Sequence, residues 1–196
     1  MLHVLELREQ HRLRLIVARA LLIVDIQRDY FRGGGHPLVE PDAAAEATRR
    51  VLDVFRASEE PVIHLQHIWD EPAATYMRPG TEGVEIHPLV APQPGELVIE
   101  KDSPNGFVDS RLQGELGSRG IDELVVTGME SCMCIDATVR AALDLGFDAT
   151  VVHDGCATSD LEFEGRAIPA VEVHGAFMAA LADAGAGVVS ADELMS

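Results

Sequence analysis

ALLIVDI (20–26) sets the architecture of the chain. It is a nearly continuous apolar run broken only by Asp25, the pattern of a parallel strand buried on both faces with a polar end. Beyond it, residues 41–58 read as a helix, with Ala44, Ala45, Ala47, Val51, Leu52 and Phe55 near helical spacing. Residues 61–67 read as a second strand and 97–99 as a short third. Residues 107–116 predict a helix and 123–127 (ELVVT) a strand. A helix follows from about Cys134 to Leu145 and stops at Gly146, where the chain needs a residue that tolerates a left-handed turn. Residues 150–153 predict another strand and 168–184 a helix with Pro169 in its first turn. A last short strand falls at 188–189. Residues 69–94 are rich in Pro, Gly and Thr and show no period, and a loop of this length in a compact domain is usually functional. No internal repeat is present.

Strands alternating with helices imply parallel β-α-β units with right-handed crossovers. The expected fold class is therefore α/β, a three-layer Rossmann-like domain with a mostly parallel central sheet flanked by helices. In open sheets of this kind, ligands bind beyond the carboxyl ends of the strands. Three reactive side chains fall there: Asp25, Lys101, and Cys134 in the segment between ELVVT and its following helix. A thiol must become a thiolate to attack a carbonyl. The start of a helix and a nearby lysine would both favour that charge. Asp25 could take the thiol proton and return it to a leaving amine. Each residue also has a plain structural reading: a buried small hydrophobe, a turn residue, a solvated lysine.

Composition limits the alternatives. The chain has 196 residues, 47% of them apolar, which suffices for one buried core. Its formal net charge is −18, which excludes the positive footprint required by nucleic acid or an anionic membrane. The three cysteines, Cys132, Cys134 and Cys156, are not a disulfide framework, so a reducing, cytoplasmic location is expected. Residues 1–19 have no secretory pattern and read either as a short amphipathic arm (Leu2, Val4, Leu5, Leu7) or as an over-long start. The domain proper is expected over 20–196. Gly33-Gly34-Gly35 follows the first strand without forming G-x-G-x-x-G, so it reads as a structural turn.

ALLIVDIQRDYF (20–31), EKDSPNGF (100–107) and VVTGMESCMCIDATVRAALDLGF (125–147) together resemble the isochorismatase-like cysteine hydrolases. That family includes nicotinamidases, N-carbamoylsarcosine amidases and streptothricin hydrolase. The resemblance covers nearly the whole chain from Ala20. Its most specific element is Gly128, Cys134 six residues on, and Thr138 four further. The resemblance implies a catalytic triad of Asp25, Lys101 and Cys134. It also implies a cis peptide between Met129 and Glu130, and an oxyanion hole from the backbone N–H groups of Glu130 and Cys134. Glu130 departs from the small or neutral residue of many members. The expected activity is hydrolysis of a small amide or lactam, with Phe31, His67, Trp69 and Phe107 lining the pocket. Glu130, Asp70 and Glu71 near the site suit a cationic amide, and streptothricin is such a lactam.

Cys132 falls two residues short of the nucleophile position and reads as a bystander, and Cys156 as packing. Nicotinamidases carry a metal held by an aspartate and closely spaced histidines. Here His64, Gln66 and His67 lie on one strand, and alternation puts His64 and His67 on opposite faces. No metal and no cofactor are expected. The resemblance further implies a homodimer or homotetramer. Competing readings are a non-catalytic binding relative and a thiol redox protein using Cys132 and Cys134.

Overall fold

The computed structural model describes residues 18–196. The expected arm over 1–19 lies outside the described residues except for Ala18 and Arg19, which open the first strand. The elements are β1 (Ala18–Val24), α1 (Pro41–Ala57), β2 (Val62–His67), β3 (Leu97–Lys101), α2 (Leu112–Ser118), β4 (Ile121–Met129) and α3 (Asp136–Asp144). After them come β5 (Asp148–Ala157), β6 (Leu161–Phe163), β7 (Arg166–Ile168), α4 (Ala170–Asp183), β8 (Gly187–Val189) and α5 (Ala191–Leu194). Six strands form one sheet in the order β3-β2-β1-β4-β5-β8, and each neighbouring pair is parallel. This is the α/β architecture expected from the sequence.

The solid apolar run of β1 is explained by the two layers it serves. Ala20, Leu22 and Val24 pack with Leu112 and Leu116 of α2, Val139 of α3 and Leu181 of α4. Leu21 and Ile23 point the other way, against Val51, Leu52 and Phe55 of α1. Burying both faces removes any polar alternation from the strand, which is why it reads as a block.

Three local differences from the sequence reading have physical causes. The helix expected over 107–116 begins only at Leu112. Asn105 and Ser110 capture the backbone just before it: Asn105 Oδ1 accepts from the Phe107 amide, and Ser110 Oγ donates to the Gly106 carbonyl. The β6–β7 hairpin was not expected. Its turn is Glu164-Gly165, both at positive φ (51° and 75°), the geometry a two-residue hairpin needs. The short α5 was also missed, although Ser190 and Glu193 form a reciprocal capping box at its start.

The register lines up four strand ends. Val24 is level with Leu65 and Gly128, and His67 with Lys101. The order reverses between β1 and β4, because β2 and β3 extend to one side of β1 and β4 and β5 to the other. Ligand crevices in open α/β sheets form at such a reversal. Among the described residues, no helix is long and apolar enough to cross a membrane.

Candidate active site

Asp25 comes directly after the last residue of β1 and adopts a left-handed backbone (φ 50°), which aspartate tolerates better than most residues. Its side chain is completely buried, as is that of Lys101 at the end of β3. Lys101 Nζ lies 2.6 Å from Asp25 Oδ2 and 3.5 Å from Cys134 Sγ. The same ammonium donates to the Ser103 carbonyl at 3.0 Å and lies 3.2 Å from His67 Nδ1. The three residues singled out by the sequence thus meet around one ammonium group.

The turn that carries Cys134 is built by the end of β4 and the residues leading into α3. Gly128 has φ 132°, and a Cβ there would sit 1.9 Å from the Val24 carbonyl oxygen, so only glycine lets β4 pass this close to β1. The Met129–Glu130 peptide is cis. Residues Ser131–Ile135 then form one wide π-type turn before α3. The Glu130 carbonyl accepts from the amides of Met133 and Ile135, which flank Cys134. Thr138, one turn into α3, accepts from the Gly106 amide and donates to the Pro104 carbonyl. It thereby ties the loop after Lys101 to the helix after Cys134.

Electrostatics at rest differ from a simple activated thiolate. Burial pushes the Cys134 thiol well up, the facing Asp25 carboxylate adds to this, and Lys101 only partly opposes it. Burial works against the Lys101 charge, but Asp25 and Cys134 outweigh it and raise that group. The resting thiol is therefore protonated, with a carboxylate beside it whose oxygens have no well-directed hydrogen-bond donor. The helix start that the sequence suggested would charge the sulfur lies beyond the π turn, at Asp136.

Donor atoms of Asp25, His67 and Cys134 lie within 4.8 Å of one another. These are metal-ligating types, but Lys101 Nζ already sits within 2.6 to 3.5 Å of all three side chains. A metal ion would have to displace that ammonium, so the residues present do not fit a resident cation. Burial first, and then the Lys101 charge, lowers the His67 imidazole and keeps it neutral.

His64 goes elsewhere, as alternation required. It is buried and bonded to Glu96 at 3.1 Å, and Glu96 also takes Arg56 Nε at 2.6 Å and the Gln93 amide at 2.8 Å. Burial alone would raise the Glu96 carboxyl, yet Arg56, Gln93 and His64 bring it down to about 2. A carboxylate depressed on folding adds stability that is complete above its unfolded value of about 4.3 and is lost as pH falls toward 2. Glu96→Gln is therefore expected to lower the melting temperature at pH 7. It is also expected to flatten the decline in melting temperature between about pH 4.3 and pH 2, as read by circular dichroism.

The pocket residues divide. Trp69 stands edge-on to Tyr76, with ring centroids 5.4 Å apart. Phe31 stacks instead on His87 at 3.8 Å and lines a separate cavity with Arg28 and Arg32. Phe107 stacks on Phe147 at 5.8 Å, against the core layer that includes Cys134. Cys132 Sγ contacts Thr158 Oγ1 at 3.1 Å, and Cys156 is buried.

Several site residues escaped the sequence reading. Gln27 is fully buried and sews the end of β2 to the long loop, donating to the carbonyls of His67 and Val84 and accepting from the His67 amide. Asp29 accepts from the amides of Gly35 and Met77, joining two loops. Tyr30 is buried beside the site: burial first, and then Asp25 among its neighbours, hold its phenol well above its ordinary value. The signal for Gln27 and Asp29 was available, since polar residues directly after a solid buried strand have few places to go but inward hydrogen bonds.

The family model described as Isochorismatase domain matches residues 19–193. An uncharacterized isochorismatase family protein of Bacillus subtilis is 49% identical over 162 residues, 83% of this chain and 90% of that protein. A streptothricin hydrolase of Streptomyces noursei is 38% identical over 143 residues, which are 73% of this chain and 51% of the enzyme. The chain thus spans about half the length of that relative. A solved structure from Oleispira antarctica, assigned to the same family, is 47% identical with a TM-score of 0.88, covering 91% of this chain and 96% of that one.

Proposed function

The chain belongs to the isochorismatase family, and we propose that it is a cysteine hydrolase of a small amide or lactam C–N bond. The single observation that carries this reading is the buried Lys101 ammonium held between Asp25 Oδ2 at 2.6 Å and Cys134 Sγ at 3.5 Å. It joins a nucleophile, a base and a fixed positive charge at the point where the strand order reverses.

In the proposed cycle, Asp25 accepts the Cys134 proton as the sulfur attacks the substrate carbonyl carbon. The thiol is protonated at rest, so transfer accompanies attack. Lys101 balances the charge passing between the two side chains. In this proposal the developing oxyanion rests on the backbone N–H groups of Glu130 and Cys134. Asp25 returns the proton to the departing nitrogen, the C–N bond breaks, and an acyl thioester remains on Cys134. Asp25 then takes a proton from water, the hydroxide adds to the thioester, and the C–S bond breaks. Carboxylic acid leaves and the thiol regains its proton.

The test is a screen of primary amides, N-carbamoyl compounds and lactams, streptothricin included, against three proteins. The wild type and Cys132→Ser are expected to release amine or ammonia. Cys134→Ser is expected to lose at least about a thousandfold in rate. Equal activity in Cys134→Ser would overturn the reading, as would loss of activity in Cys132→Ser alone. The homo-oligomer expected from the resemblance belongs to the same proposal. It is supported by the exposed apolar side chains Leu161 and Phe163 on the hairpin and Val171 at the start of α4.

A further inference from the structure

The Glu130 side chain is only 7% exposed although its backbone leads into the turn that presents Cys134. Its Oε2 accepts from Ser159 Oγ at 2.9 Å, and its Oε1 lies 3.4 Å from His36 Nε2. Among the described residues, no lysine or arginine pairs with it. His36 is itself 37% exposed, so solvent screens whatever charge it brings. A buried carboxylate without a close cation is unfavourable unless something supplies the missing charge.

Beside that carboxylate stands a wall of π faces. His36 stacks on Tyr76 at 4.8 Å and 19°, and Tyr76 meets Trp69 edge-on. Tyr30 lies 6.0 Å from His36 and 6.2 Å from Tyr76, completing the group. Burial raises both phenols, and for each of them the nearby Glu130 and Asp25 add to the shift. The aromatic group is therefore close to Glu130, which opens the turn that carries Cys134, and to Asp25, whose carboxylate lies within 4.8 Å of the Cys134 sulfur. Ring faces next to an unmatched anion are the chemistry that receives an organic cation, through a charged hydrogen bond on one side and cation–π contact on the other. The net charge of −18 favours the approach of such a molecule.

We propose, resting on the hydrolase reading above, that the substrate is an amide or lactam carrying a protonated amine. That amine is seated on the Glu130 carboxylate against Tyr30, Tyr76 and Trp69 while the carbonyl faces Cys134. Glu130 is then a specificity-determining residue whose side chain selects charge and whose backbone serves the oxyanion.

The test uses two thiol reagents of the same shape and electrophile, N-(2-aminoethyl)iodoacetamide and N-propyliodoacetamide, which differ in an ammonium against a methyl. Rates of Cys134 alkylation are read by intact mass, each divided by its rate with N-acetylcysteine. The cationic reagent is expected to react about tenfold faster or more in the wild type, the worth of one charged hydrogen bond. Glu130→Gln is expected to bring the ratio near one, and Tyr76→Leu to lower it less. Taking the ratio cancels any change in thiol reactivity common to both reagents. On the wild type alone, n-butylammonium is expected to protect Cys134 from the neutral reagent, while n-pentanol is not. A wild-type ratio near one overturns the proposal, as does an equal ratio in Glu130→Gln, or no protection by the ammonium. Labelling requires no turnover. A charge preference in a chain that hydrolyses no amide leaves this subsite standing and sinks the hydrolase reading. Hydrolysis without charge preference does the reverse.

Discussion

Asp25→Asn is expected to reduce amide turnover by about a thousandfold in a protein that still folds, though with lower stability. A positioned general base contributes roughly 10² to 10⁴ in rate, and in the proposed cycle the same group serves both half-reactions. At rest the thiol is protonated, because burial and the carboxylate itself hold it well above its ordinary value. No thiolate stands ready to bypass the base. Asparagine keeps the shape beside Lys101 and can accept its N–H, but it cannot take a proton from sulfur or give one to nitrogen. The checks are turnover on the best amide from the screen and a circular dichroism melt. A variant with near wild-type turnover would mean that the proton leaves Cys134 by another route.

Lys101→Met is expected to destabilise the protein by about 3–5 kcal/mol, the cost of leaving one member of a buried ion pair without its partner. Both side chains of this pair are fully buried and 2.6 Å apart. Beyond this ion pair the Asp25 oxygens have no well-directed hydrogen-bond donor among the described residues. Methionine fills most of the lysine volume, so the effect is one of charge rather than of a cavity. The double variant Asp25→Asn/Lys101→Met is expected to recover most of the loss, since removing both charges removes the desolvation problem. Denaturant melts of the wild type and the three variants measure the coupling. A single variant as stable as the wild type would show that the pair carries little of the fold.

These expectations rest on residues that the sequence displayed and on others that it concealed. Asp25 was legible because it interrupts an otherwise solid apolar strand, and Lys101 and Cys134 because each comes after a strand of the same kind. Register then did what the sequence implied, placing the carboxyl ends of β1, β2, β3 and β4 side by side. Gly128 was legible by motif, and its physical reason is the backbone of β1 directly above it. The aromatic group around Glu130 was not legible, apart from Trp69. Tyr30, His36 and Tyr76 come from two loops without period, joined through Asp29 across 48 residues of sequence. Aperiodic loops leave no pattern from which facing can be read. Phe31 shows the same difficulty at short range: it closes a short helical turn and stacks on His87, a partner 56 residues away in another aperiodic loop. The sign of the Cys134 shift was concealed for another reason. Burial and the facing carboxylate are tertiary quantities, and they outweigh the local lysine and helix start that the sequence did display.

If the proposed chemistry is right, it passes through an acyl group on Cys134. Acid-quenching the enzyme during turnover of its best amide, then taking the intact mass and mapping the peptides, examines that step itself. An adduct equal in mass to the acyl part of the substrate is expected, confined to the peptide of Cys134, removed by hydroxylamine and absent from Cys134→Ser. Steady turnover with no adduct and an undiminished Cys134→Ser rate would contradict the proposal, and so would an adduct carried by Cys132 or Cys156.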